Sequence, residues 1–266
     1  MFGAAKQQIK VLLGPAATAR IMRARQSLRY LRAGWSQIQK PMDPRWIDVL
    51  EDPSFQASVA SVIDLSASDT PRLANLWQWC GQSEDGVIVE FGAFRGGTAL
   101  HLSNRWPQRK VVVCDTFEGF APLAFHPRFD AGFDRASWSN PDAEAVRVLF
   151  AARGRHAVVL KGIFPDSDRN GEVQDVSFAH IDTDVYESCR RSLDYLAQRA
   201  TPSAIFAVND YLRGERGGTT GVRHAVEDFV ADNPDWVAIP AFPGQGILLN
   251  RATYGMNRAP RQADRR

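Results

Sequence analysis

The chain has 266 residues, 44% hydrophobic and 23% charged, with 15 Phe, 5 Tyr and 7 Trp. That composition excludes disorder throughout and is enough for a full core. No apolar run approaches the ~20 residues of a membrane span. Cys80, Cys114 and Cys189 are too scattered for a disulfide framework or a zinc knuckle, which suits a reducing, cytoplasmic compartment. The net charge of +2 conceals an acidic body. Residues 41–250 hold 19 basic and 29 acidic groups, between a basic N-terminal stretch and a basic tail. No basic stripe on the body points to nucleic acid.

Residues 1–67 read as a basic helical extension. The first 40 carry eight Lys/Arg and no acid, and Ile21, Leu28, Leu31 and Trp35 recur at helical spacing. Three readings stand side by side. One is a solvated helix packed on the body or on a second copy in a homo-oligomer. Another is an amphipathic surface making weak contact with anionic lipid or an acidic partner. The third is a targeting presequence. Residues 251–266 form a basic tail.

The expected main domain, 68–250, alternates strand and helix. Asp69-Thr70-Pro71 starts a helix with the apolar face Leu73, Leu76 and Trp77. Val87–Val89 reads as a strand, Thr98–Trp106 as a helix, and Lys110–Cys114 as a second strand. Residues 118–140 have no clean period. Asp142–Arg153 reads as a helix, Ala157–Leu160 and Val176–Ile181 as strands, and Glu187–Arg199 as a helix. Ala204–Val208 is a strand and Val222–Ala231 a helix. Trp236–Pro240 and Gly246–Asn250 resemble an antiparallel hairpin. Near-continuous apolar strands between helices call for a doubly wound α/β sheet, mostly parallel and covered on both faces. Ligands of such sheets bind beyond the carboxyl ends of the strands.

The residues beyond those ends carry the chemistry. The first strand runs into Glu90-Phe91-Gly92 and Arg95-Gly96-Gly97-Thr98. This turn can approach a ligand closely and lacks the GxGxxG spacing of a dinucleotide fingerprint; Glu90 suits an amine or other cationic group. Asp115-Thr116-Phe117-Glu118-Gly119 follows the second strand, where a carboxylate can accept from a ribose diol. Lys161-Gly162-Ile163-Phe164 follows the third, and Ile163 or Phe164 could cover a purine. Asp182-Thr183-Asp184-Val185-Tyr186-Glu187-Ser188 follows the fourth and Asn209-Asp210-Tyr211 the fifth. Three carboxylates and an amide oxygen converging there suit a hard cation such as Mg²⁺. A competing reading has Asp182 or Asp184 only capping the next helix. His101 reads as a helix-surface or satisfied core residue, His180 as packed, His224 as solvated, and His126 as able to face substrate.

This ordered set resembles the macrocin O-methyltransferase (TylF-type) family over about residues 70–250. The resemblance implies a class I methyltransferase fold: a seven-stranded sheet, mostly parallel, with an antiparallel C-terminal hairpin. It implies an S-adenosylmethionine-dependent O-methyltransferase acting on a sugar or glycosylated natural product, assisted by Mg²⁺. Glu90 would hold the methionine amino group, and Gly92 would admit the cofactor. Asp115 would bind the ribose, and Lys161, Gly162 and Ile163 would line the adenine. Phe91, Arg95, Gly97, Thr98, Thr116, Phe117 and Asp182 complete the expected cofactor-binding set. Asp182, Asn209 and Asp210 would hold the metal, with Asn209 where the family usually has Asp. Asp182 and Asp184 are the catalytic candidates, Asp184 as general base. The aromatic segment 120–140 (Phe120, Phe125, Phe129, Phe133, Trp138) is not carried by the resemblance and reads either as a lid over the acceptor pocket or as an ordinary packed loop. Two rival readings remain: a metal-dependent sugar-nucleotide glycosyltransferase, and a methyltransferase-like binding subunit without activity.

Overall fold

The computed structural model describes residues 49–256, apart from 122–123, 132–137, 139–141 and 213–219. The basic helix expected near Ile21–Trp35, Phe133 of the aromatic segment, and the tail beyond residue 256 lie outside the described residues. In chain order the elements are α1 (Pro53–Val62), α2 (Thr70–Gln82), β1 (Val87–Phe91), α3 (Gly97–Arg105), β2 (Val111–Asp115) and α4 (Ala143–Ala151). They continue as β3 (Ala157–Lys161), β4 (Val176–Ile181), α5 (Tyr186–Ala197), β5 (Ala200–Val208), α6 (Gly221–Asp232), β6 (Trp236–Ala241) and β7 (Gln245–Asn250).

The seven strands form one sheet in the order β3-β2-β1-β4-β5-β7-β6. Strands β1 to β5 run parallel, and β7 lies antiparallel between β5 and β6. Alternation along each strand divides the core into two layers. Ile88, Val111, Val113, Phe178 and Ile205 face the layer that holds α1 to α4. Val89, Val112, Ala179 and Phe206, each next in sequence to one of these, face the layer that holds α5 and α6. Phe178 and Phe206 are wholly buried, one on each face, and such burial stabilises by roughly 1.5–3 kcal/mol per side chain. This two-sided burial is why the strands lack polar alternation.

Helix α2 begins as its sequence predicts, with Asp69 accepting from the Arg72 amide at 3.0 Å and Pro71 in the first turn. Helix α1 belongs to the stretch assigned to the extension, yet Phe55 and Val62 lie in the core. Asp52 caps α1 through the Ser54 amide and accepts from the Trp77 indole at 3.1 Å. A boundary at residue 67/68 therefore cuts through packed structure.

From β1 the chain winds outward through β2 and β3, then returns to place β4 on the other side of β1. The direction of winding reverses between β1 and β4. A ligand crevice opens at such a reversal, beyond the carboxyl ends of the strands.

Candidate active site

Backbone hydrogen bonds join the segments leaving the strands into one crest. The Gly92 amide donates to the Cys114 carbonyl at 2.9 Å, and the Gly162 amide to the Asp115 carbonyl at 3.0 Å. The Asp182 amide donates to Phe91 and the Asn209 amide to Ile181, both at 2.8 Å. Four non-glycine residues on this crest adopt left-handed backbone: Phe94 (φ 52°), Phe117 (58°), Asp184 (62°) and Asp210 (58°). Such turns cost of order 1 kcal/mol or more each and concentrate at functional sites.

The crest brings together most of what the sequence nominated. Asp115 accepts from the Phe94 amide at 2.8 Å and the Phe117 amide at 2.7 Å, so its carboxylate ties the turn after β1 to the turn after β2. Burial pushes the Asp115 carboxyl up, and these amides pull it back. Glu90 is 1% exposed and its Oε1 lies 2.9 Å from Nδ1 of His180 on the neighbouring strand. Burial raises the Glu90 carboxyl, with His180 opposing it. Burial alone would lower His180, but the Glu90 carboxylate reverses this and the imidazole is raised. Glu90 Oε2 and His180 Nε2 are buried without a hydrogen-bond partner among the described residues.

Several nominated residues offer the crest only their backbone. The rings of Phe91 and Phe117 are buried in the core. Phe164 packs against Phe91 at 4.5 Å and Tyr195 at 4.8 Å, which leaves Ile163, 47% exposed, as the apolar side chain free to meet a flat ligand. Thr98 is buried and bonded to Ser66 Oγ at 2.8 Å. Thr116 closes its own turn on the Gly119 carbonyl at 2.5 Å. Lys161 pairs with Glu118 at 3.0 Å, and Arg95 lies over the Phe94 ring.

Two glycines have reasons the sequence did not reveal. A Cβ on Gly92 would stand 2.1 Å from the Asp182 carbonyl oxygen, and its φ is +82°. A Cβ on Gly97 would stand 2.3 Å from the Ser66 amide nitrogen. Both absences of a side chain let protein backbone pass: β4's exit turn in one case, the chain before α2 in the other.

Ligand oxygens of Asp182, Asp184 and Asp210 all lie within 4.8 Å of one another. Asn209 lies beside the cluster, with its Oδ1 buried and without a hydrogen-bond partner among the described residues. Its Nδ2 donates to Asp182 Oδ1 at 2.8 Å, and Asp184 completes the oxygen cluster. Burial pushes the Asp182 carboxyl up and the Asp210 charge adds to this, against His180, Asn209 and Arg72. Sequence reasoning missed Arg72, whose Nη2 lies 3.1 Å from Asp210 Oδ1. Lying 138 positions away in sequence, it carried no motif signal. Among the histidines, His101 is buried and bonded, the core one of its two readings. His224, expected to be solvated, instead stacks on Phe129 at 4.0 Å.

The sheet order, with its antiparallel β7 and a cofactor-type crest at β1 and β2, defines a class I methyltransferase fold. Residues 72–235 match the family described as macrocin-O-methyltransferase (TylF), and the chain belongs to that family. It is thereby an S-adenosylmethionine-dependent O-methyltransferase. Among solved structures it is similar to the O-methyltransferase NovP, with a TM-score of 0.58 and 21% identity over 70% of this chain and 82% of that one. CalS11, a calicheamicin methyltransferase, aligns with a TM-score of 0.50 and 18% identity over 77% of this chain and 90% of that one. The Podospora anserina methyltransferase PaMTH1 aligns at 0.50 and 12% identity, over 85% and 95%. These likenesses support the fold. No curated protein matches the chain.

Proposed function

We propose that the chain methylates a hydroxyl of a sugar or glycosylated natural product with a divalent cation, Mg²⁺ by the chemistry of the ligands, held beside the acceptor. The observation that carries this reading is the Asp182–Asp184–Asp210 cluster at the same crest as Glu90 and Asp115. Oxygen-only ligands suit a hard ion. Three carboxylates converging on one point repel one another, and a divalent cation would offset that repulsion. The family supports the acceptor class.

The orphaned Glu90 Oε2 fits a cationic group such as the methionine ammonium. Asp115 retains acceptor capacity for a ribose diol beyond its two amide bonds. Lys161, Gly162 and Ile163 line the adenine in this reading, and Asp182, Asp184 and Asp210 hold the cation. When bound, the cofactor supplies an activated methyl group and the cation a Lewis acid that lowers the pKa of an alcohol. Asp184 would take the hydroxyl proton on the carboxylate oxygen that the cation leaves free. Its left-handed backbone turns that carboxylate toward the cluster, while Asn209 orients Asp182. The protein's contribution is position and proton acceptance.

The test is transfer of labelled methyl from S-adenosylmethionine to a panel of nucleotide-linked sugars and glycosides, with Mg²⁺ or with EDTA. Mg²⁺-dependent labelling of a sugar oxygen supports the reading. Equal labelling in EDTA removes the cation from it, and labelling confined to non-sugar hydroxyls removes the acceptor class.

A further inference from the structure

Two helices flank the carboxylate cluster, and neither caps itself. Helix α5 starts two residues after Asp184, and α6 starts after the segment that follows Asp210. The residues before them, Val185 and Thr220, make no side-chain cap. The first amides of a helix need acceptors. A carboxylate from a distant segment stands there instead. Asp130, 3% exposed, accepts from the Tyr186 amide at 3.1 Å and from the His126 amide at 2.8 Å, both through Oδ2. A Cβ on Gly221 would lie 2.0 Å from Asp130 Oδ1 and 2.8 Å from the Tyr186 nitrogen. Position 221 must therefore be glycine for this carboxylate to reach both helix starts. The Thr220 amide donates to the Phe129 carbonyl at 3.2 Å. Phe129 stacks between His126 at 4.3 Å and His224 at 4.0 Å.

Residues 124–130 are thus keyed onto the turn that carries Asp184. The end of the segment near Asp130 is anchored beside the candidate base. Asp184 sits in left-handed backbone at the centre of a tight turn, with the Val185 amide donating to the Thr183 carbonyl at 2.7 Å. Such a conformation persists only when its surroundings over-determine it. The Asp130 bond to Tyr186 fixes the far end of that turn.

We propose that Asp130 is a positioning residue, acting through the Tyr186 amide and the Gly221 contact to hold Asp184 within the oxygen cluster. Docking of residues 124–130 and assembly of the cation site are then one event. The proposal rests on the cation-assisted reading above. Loss of a group that orients a metal ligand weakens metal binding by about 10–100-fold.

The experiment titrates Mn²⁺ by electron paramagnetic resonance and S-adenosylhomocysteine by calorimetry. It uses the full-length protein, Asp130→Asn, Asp130→Ala and Gly221→Ala. Asp130→Asn keeps one acceptor oxygen and guards against a variant that fails to fold. The expected result is Mn²⁺ affinity lowered about tenfold or more in Asp130→Ala and Gly221→Ala, less in Asp130→Asn. S-adenosylhomocysteine affinity should stay within about twofold of the parent in each. Unchanged Mn²⁺ affinity in every folded variant overturns the proposal, as does an equal loss of both ligands, which marks a general structural role. If the parent protein itself binds no Mn²⁺, the cation-assisted reading fails separately. The positioning claim is then decided by amide exchange: faster exchange at 183–187 in Asp130→Asn supports it, and unchanged exchange overturns it.

Discussion

Arg72 Nη2 lies 3.1 Å from Asp210 Oδ1, which joins the first turn of α2 to the exit of β5. Both side chains are mostly buried, at 16% and 12% exposure, so solvent screens the pair less than a surface ion pair. The guanidinium offsets part of the repulsion among three carboxylates and competes with any cation for Asp210.

Replacing Arg72 with Gln should therefore act in two directions. Without divalent cation, the melting temperature falls because the carboxylates lose one counter-charge. With Mg²⁺, stabilisation grows, and cation affinity rises by about fivefold, or about 1 kcal/mol. Thermal melts in EDTA and across a Mg²⁺ series check both signs. A smaller Mg²⁺ response in the variant would show that Arg72 orients Asp210 for the cation rather than competing with it.

Gly92→Ala should disrupt the fold rather than only the cofactor site. The new Cβ meets the Asp182 carbonyl oxygen at 2.1 Å in a backbone of φ +82°. Close overlap together with left-handed strain places the cost at about 3 kcal/mol or more. Chemical denaturation should show a large drop in midpoint. A stable variant with weakened cofactor binding alone would restore the view that Gly92 is bare for the ligand's sake.

The difference between those two explanations shows what the sequence made legible. Strand–helix alternation, the parallel sheet and the crest residues Glu90, Asp115, Asp182 and Asp184 could be read because each residue stands at or just beyond the carboxyl end of an apolar strand, a place the fold assigns to ligands. Long-range partners could not. Nothing near His180 in sequence indicates Glu90, which faces it across the β1–β4 register. Arg72 and Asp130 belong to no local pattern, and only chain folding brings them to Asp210 and Tyr186. The role of Asn209 was half legible: its place beside Asp210 was clear, but whether its oxygen or its nitrogen faces Asp182 depends on the surrounding hydrogen bonds. Helix α1 lacks a strong charge or glycine signal, so Phe55 and Val62 were not recognisable as core.

His101 supplies a pH dependence of stability. It is fully buried on α3, with Nδ1 2.8 Å from Ser58 Oγ and Nε2 3.0 Å from the Leu73 carbonyl. Burial pushes its pKa down to about 4 from 6.5. Between those values the unfolded chain binds the proton and the folded chain does not, so unfolding is favoured as pH falls. The stabilisation is complete above about pH 6.5 and is lost progressively towards pH 4, by about 3 kcal/mol at most. His101→Gln should be less stable at neutral pH and should flatten this part of the profile. Denaturation midpoints measured from pH 7 to pH 4 give the comparison. An equally steep decline in the variant would assign the acid sensitivity to other groups.

The most direct test of the whole account is a calorimetric titration of S-adenosylhomocysteine into the full-length protein and into Asp115→Asn. Asp115 joins the turns after β1 and β2 through the Phe94 and Phe117 amides, and in this account it also receives the ribose. The parent should bind one equivalent, and the variant should bind about 10-fold to 100-fold more weakly, a loss of about 1.4–2.8 kcal/mol, while remaining folded. Parent protein that takes up no S-adenosylhomocysteine, or a folded variant that binds it as tightly as the parent, would contradict the account.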